Sequence, residues 1–155
     1  MQKCTISRPR IAAAPGAYDE AMATTTGFNH IATGTPDLDR IKQFYLDAFG
    51  AETVFEMAAK PDHPRMAIIE LGGGAALNVF EVPEESLIGD RKVQGGRGPI
   101  DHYGIAVDSL ASLEAVRDRL VELGTDIGEI HQLGTLWSLF FRDPDGMELE
   151  VCAPG

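Results

Sequence analysis

Two of the chain's four histidines occupy matching places. His30 lies in Phe28-Asn29-His30-Ile31-Ala32-Thr33, and His102 in Ile100-Asp101-His102-Tyr103-Gly104-Ile105-Ala106-Val107. Both segments alternate apolar residues with others, a period of two that predicts a strand. The histidines are 72 residues apart (30 to 102), and the same offset carries Leu77-Asn78-Val79 onto Leu149-Glu150-Val151 (78 to 150). Each half thus places a polar residue 48 positions after its histidine (30 to 78, 102 to 150). Two imidazoles and a carboxylate from separated strands make a site for a first-row divalent metal, provided they face one cavity. Glu148 shares a strand face with Glu150 and is a second carboxylate for that site.

Positioning these residues requires the elements between them. In the first half, strand Phe28–Thr33 leads to Thr35-Pro36-Asp37, which has helix-start chemistry. Leu38, Ile41, Phe44, Tyr45 and Phe49 then fall on one helical face, and Gly50 stops the helix. Strands are expected at Glu52–Met57, Met66–Leu71 and Ala75–Val82, with Gly72-Gly73-Gly74 as a hairpin. The second half repeats this order. Strand Ile100–Val107 precedes a helix over Ser109–Leu123, with Leu110, Leu113, Val116, Leu120 and Leu123 inward and Gly124 as its cap. Strands near Asp126–Gln132, Leu136–Arg142 and Met147–Cys152 follow, the last two joined by the turn Asp143-Pro144-Asp145-Gly146. One such unit is too small to bury a sheet face alone, so two must pair.

The expected organisation is a tail over residues 1–26, flexible and unlike the rest, followed by one domain over 27–155. That domain comprises modules 27–83 and 100–155, joined by the polar, glycine-rich linker 84–99. Met22 is a candidate natural start within the tail. With 155 residues, 44% of them hydrophobic, the chain has the composition of a globular domain able to bury roughly two-thirds of its unfolded surface. A formal net charge of −11 argues against nucleic acid or an anionic membrane as partner. No apolar run approaches the ~18 residues of a membrane span. Two cysteines, Cys4 and Cys152, make no disulfide framework and fit a reducing cytoplasm.

The stretches FNHIATGTPDLDRIKQFYLDAFGAE, IDHYGIAVDSLASLEAVRDRLVELG and FRDPDGMELEV resemble the vicinal oxygen chelate superfamily. That superfamily includes glyoxalase I, methylmalonyl-CoA epimerase, fosfomycin and bleomycin resistance proteins and extradiol dioxygenases. The resemblance covers everything from Gly27 onward. It implies an α+β fold of two paired βαβββ modules, forming a curved mixed eight-stranded sheet around a central cavity with the helices outside. By position His30, His102 and Glu150 match the family's metal ligands. Asn78 departs from the pattern, because glyoxalase I and the epimerase have Glu or Gln there. Asn is neutral and one methylene shorter, which leaves two histidines and one carboxylate, a set resembling the facial triad of non-haem iron oxygenases.

These features set the functional expectations. The common chemistry is chelation of vicinal oxygens of a small substrate on a divalent metal, which stabilises an anion as a Lewis acid. The three-ligand set tilts the reading toward a dioxygenase using Fe(II) or Mn(II), with coordination positions left for substrate and O₂. A glyoxalase- or epimerase-type lyase or isomerase on Zn, Ni or Co is the alternative, with Glu150 or Glu148 moving the proton. A metal-free ligand-binding protein of the bleomycin-resistance kind is a further one. Trp137, Phe140 and Phe141 are candidate pocket wall or ordinary core, His131 is a candidate pocket residue, and His63 is read as a solvated loop residue. A homodimer is expected, with the modules pairing within a chain or between chains.

Overall fold

The structure is a computed structural model that describes residues 28–87, 100 and 102–155. The expected tail, most of the linker and Asp101 lie outside the described residues. The element order is β1 (His30–Thr35), α1 (Leu38–Phe49), β2 (Thr53–Met57), β3 (Met66–Gly72) and β4 (Ala75–Glu81) in the first half. After a 3-10 turn at Glu84–Ser86 come β5 (Tyr103–Ala106), α2 (Leu110–Glu122), β6 (His131–Leu133), β7 (Leu136–Arg142) and β8 (Glu148–Pro154). The eight strands form two four-stranded mixed sheets, ordered β1-β4-β3-β2 and β5-β8-β7-β6. Among the described residues no ladder joins β1 to β5, so each is the edge of its own sheet.

The duplication holds at the level of single hydrogen-bonded pairs. Ala32 is opposite Asn78 as Gly104 is opposite Glu150, and Ile68 is opposite Asn78 as Phe140 is opposite Glu150. Every one of these residues moves by 72 between halves. Tight hairpins set the register: Gly73 and Gly74 both take positive φ (62° and 83°), which a two-residue turn between right-twisted strands requires.

Both helices begin and end for the reasons their sequences suggest. Asp37 caps α1 by accepting the Arg40 N–H at 3.0 Å, and Glu81 on β4 accepts the Leu38 N–H at 3.1 Å. Ser109 caps α2 by accepting the Ser112 N–H at 3.2 Å. The buried stripe of α1 is Leu38, Ile41, Phe44, Tyr45 and Ala48; that of α2 is Leu113, Val116 and Leu120. Leu123 departs from its inward expectation. It is the C-cap residue, beyond the last full turn, and is 42% exposed.

The two halves meet through their helices. α1 packs on β3 and β4, α2 on β7 and β8, and the helices touch each other. Phe141 of β7 lies 6.3 Å from the Phe44 ring and 5.7 Å from the Phe49 ring, so one core runs through both halves. Polar ties reinforce it: Tyr45 and Tyr103 share a hydroxyl hydrogen bond of 3.1 Å, and Arg40 Nη2 lies 2.5 Å from Asp145 Oδ1. The segment expected as a strand over Asp126–Gln132 follows β7 in two pieces. Gly128 donates to the Phe140 carbonyl and Ile127 bridges Phe141, whereas His131 faces Ser138, a shift of one residue in register. No described helix is long and apolar enough to cross a membrane.

Candidate functional site

Strand alternation divides each sheet into a helix face and an opposite face. In the second half Leu139, Phe141, Leu149 and Val151 belong to the core, so Ser138, Phe140, Glu150 and Cys152 point the other way. His102 precedes β5 and reaches the same face: its Nε2 is 3.5 Å from Glu150 Oε2. Glu150 is 16% exposed and His102 is 32% exposed, so the pair is sheltered yet open to a ligand. Phe140 stands edge-on to the imidazole, with ring centroids 5.2 Å apart. Gly104, opposite Glu150, leaves space there; a Cβ at that position would sit 3.8 Å from Glu150 Oε2 and 3.5 Å from Cys152 Sγ.

Two further groups address the carboxylate. Ser138, 1% exposed, donates its hydroxyl to Glu150 Oε1. The Cys152 thiol is pushed up to about 11 by burial, by the Glu150 charge and by a hydrogen bond to that carboxylate. Neither residue is among the expected site residues, although the signal was present. The Asp143–Gly146 turn sets Ser138 opposite Cys152, and Cys152 is two residues along the strand from Glu150.

The other expected residues are placed as follows. His30 is exposed at the start of β1, with Nδ1 2.9 Å from Asn29 Oδ1. It shares the outer face of its sheet with Asn78, because parallel partners His30–Ala76 and Ala32–Asn78 point the same way. His30 does not join the His102–Glu150 pair: among the described residues no three His, Cys, Asp or Glu side chains gather as a metal-binding set. Glu148 is engaged by Arg142, whose Nη2 lies 2.8 Å from Oε2. His131 shares the Ser138 face but is exposed. Trp137 lies on the opposite face, packed against the core. His63, read as solvated, is half-buried instead, its ring 5.8 Å from that of Phe80 on the His30–Asn78 face.

The donor chemistry fits a divalent first-row metal. An imidazole nitrogen from the residue before β5 and a carboxylate oxygen from β8 face each other, the carboxylate held from behind by Ser138. Within a single chain two of the three expected ligand residues, His102 and Glu150, are brought together. A cleft of about 860 Å³ opens elsewhere, between the start of α1, the end of α2 and the β7–β8 turn. Among its charged walls Arg40 pairs with Asp145 and Arg142 with Asp126, and none of His30, His102, Ser138 and Glu150 lines it.

Comparison with known proteins agrees with this architecture. A trivalent organoarsenical cleaving enzyme from Bacillus sp. (strain MD1) is 26% identical over 129 residues, spanning 79% of this chain and 70% of that enzyme. A glyoxylase/bleomycin resistance protein/dioxygenase domain from Frankia sp. EAN1pec has the same fold, with a TM-score of 0.70 and 23% identity over 85% of this chain and all of that one. So has a mutant of the fosfomycin resistance protein FosX from Listeria monocytogenes, solved with Mn(II) and 1S,2S-dihydroxypropylphosphonic acid. It gives a TM-score of 0.65 and 18% identity over 84% of this chain and 94% of that one. Residues 27–151 match the family model of the Glyoxalase/Bleomycin resistance protein/Dioxygenase superfamily, and the chain belongs to that superfamily.

Proposed function

We propose that this chain is a metal-dependent enzyme that binds a small substrate through vicinal oxygens, tilted toward dioxygenase chemistry. Its metal would be held by His102 and Glu150 of one chain and His30 of a second copy. The observation that carries this reading is the approach of His102 Nε2 to Glu150 Oε2 on a face that the helices leave open. A second copy supplies the missing ligand economically. The helix faces are already buried against each other within the chain, while the His30–Asn78 face and the His102–Glu150 face both point outward. β1 and β5, the strands beside those faces, are sheet edges among the described residues. A homodimer that brings β1 of one chain to β5 of the other closes both edges and builds two equivalent sites.

When bound, Fe(II) or Mn(II) would supply Lewis-acid stabilisation of an anionic substrate oxygen. The chain's own residues do the remaining work. Phe140 and the half-buried His102 restrict water on one side, and Gly104 keeps room beside Glu150 Oε2. Asn78, too short and neutral for a strong fourth ligand, leaves that side to substrate. Kinship with an organoarsenical-cleaving enzyme and fold likeness to a Mn(II)-bound resistance protein support the metal and the small substrate. In the lyase or isomerase alternative, Glu150 is the carboxylate placed to move a proton, since Glu148 is ion-paired with Arg142.

Mixed dimers test this assignment. The native protein should bind about one Mn(II) per chain, and His30→Ala or His102→Ala alone should bind none. Co-expressed, the two variants should regain one Mn(II) per mixed dimer, because one site then carries both substitutions and the other neither. No recovery would place the whole site within one chain. A native protein that takes up none of Mn(II), Fe(II), Zn(II), Ni(II) and Co(II) would favour the metal-free binding protein instead.

A further inference from the structure

We infer that Ser138 is a positioning residue for Glu150: its hydroxyl occupies Oε1 and so presents Oε2 to the ligand. This rests on the metal-site reading above. Ser138 and Thr35 are the polar residues buried as whole residues among the described ones. Thr35 is satisfied locally by the backbone of Asp37, donating at 3.2 Å and accepting at 3.1 Å. Ser138 instead spends its hydroxyl on a side chain twelve residues away, across two strands.

The geometry limits what Glu150 can do. One oxygen is engaged from beneath by a buried donor; the other faces His102 Nε2 at 3.5 Å and the space left open by Gly104. A carboxylate whose Oε1 already accepts the Ser138 hydroxyl is biased to ligate through Oε2, the oxygen that faces His102. Cys152 also hydrogen-bonds Glu150, but a thiol is a weak donor with a diffuse charge and holds an oxygen less firmly. The first half, at the equivalent of Ser138, carries Met66 and has Asn78 in place of the carboxylate. Hydroxyl and carboxylate therefore occur together in the half that keeps the acid and are both missing from the other.

Loss of a hydrogen bond that orients a ligand typically weakens metal binding about 10- to 100-fold. Titration calorimetry of the full dimer with Mn(II) alone reads this directly. Ser138→Ala should weaken Mn(II) at least tenfold, and Ser138→Thr, which keeps the hydroxyl, should stay within about threefold of the native value. The Mn(II) electron paramagnetic resonance spectrum should change in the Ala variant and return in the Thr variant. A purely structural serine would lower the melting temperature of Ser138→Ala and leave Mn(II) affinity and spectrum alone, which overturns the inference. Equal losses in the Ala and Thr variants overturn it too. Glu150→Ala separates this from failure of the site: if that variant keeps native affinity, the metal-site reading itself is wrong.

Discussion

Where the second half carries Glu150, the first carries Asn78, and the backbone pairing around the two matches residue for residue. The neighbours differ in a consistent direction. Met66, Ile68 and Phe80 surround Asn78 at the places where Ser138, Phe140 and Cys152 surround Glu150, and Ala32 stands where Gly104 makes room. The helix faces have not diverged in this way: Leu77 and Val79 are as fully buried as Leu149 and Val151. A duplicated sheet thus keeps the residues that close its core on both copies. The outer face differs between the copies, and in the proposed site only one copy holds an acid. On that face the first half presents a histidine and apolar neighbours, and the second a carboxylate with its supporting donors.

The largest expected effect follows from that asymmetry. Glu150→Ala should abolish measurable Mn(II) binding, whereas Asn78→Ala should change affinity by less than about threefold. Folding should survive both, since neither residue belongs to the core. Equal losses from the two substitutions would mean that the halves contribute alike and that the asymmetry of their neighbours has no functional meaning.

A second test concerns the contact between halves rather than the faces they present. Asp145 is 3% exposed and ion-paired with Arg40, which reaches it from the other module. Arg40→Ala strands that carboxylate and should cost about 2 kcal/mol, measured by denaturant unfolding. Arg40→Ala with Asp145→Asn should recover part of the loss. A cost near zero would show that this ion pair does not help to hold the modules together.

Asn78→Glu sharpens the comparison by making the first half more like the second. If Asn78 faces the bound metal in the dimer, the longer acid should strengthen Mn(II) binding about tenfold, checked by competition with a chelator. Unchanged affinity would place position 78 outside the ligand shell.

How much of this was legible beforehand depended on whether the information was local. The 72-residue repeat, both helix starts and the β7 boundaries rest on alternation, capping residues and tight turns, which act over a few residues. The faces of β7 and β8 were legible in principle, because a turn sets register and register sets parity. Trp137, open between pocket wall and core, is decided by that step: two residues before Leu139 on the same strand, it joins the core. The one-residue shift that splits the 126–133 segment depends on pairing with β7, which no alternation within the segment reveals. The failure of His30 to meet His102 and Glu150 within the chain is a tertiary fact. Equivalent positions in a repeat share an environment, but whether they converge depends on how the copies are turned toward each other. Here the helices lie between the sheets.

The smallest effect expected is confined to the first half, which carries an exposed charge network with no counterpart among the described residues of the second. Arg65 pairs with Asp39 and Glu56 at 2.6 Å each, and Lys42 pairs with Glu56 at 2.6 Å and Asp39 at 3.2 Å. The hydrogen bonds from Arg65 and then Lys42 hold the Asp39 carboxyl down at about 2, below its ordinary 3.8. A depressed carboxyl stabilises the fold above its unfolded-state value and loses that contribution as pH falls through the folded one. The stabilisation should therefore be nearly intact above about pH 4 and largely lost by about pH 2. Because Asp39 is exposed, molar salt should screen most of it at any pH. The difference in melting temperature between the native chain and Arg65→Ala, followed from pH 7 to pH 2, measures it. A difference that persists at pH 2 would mean that Arg65 acts through packing of its aliphatic stem rather than through charge.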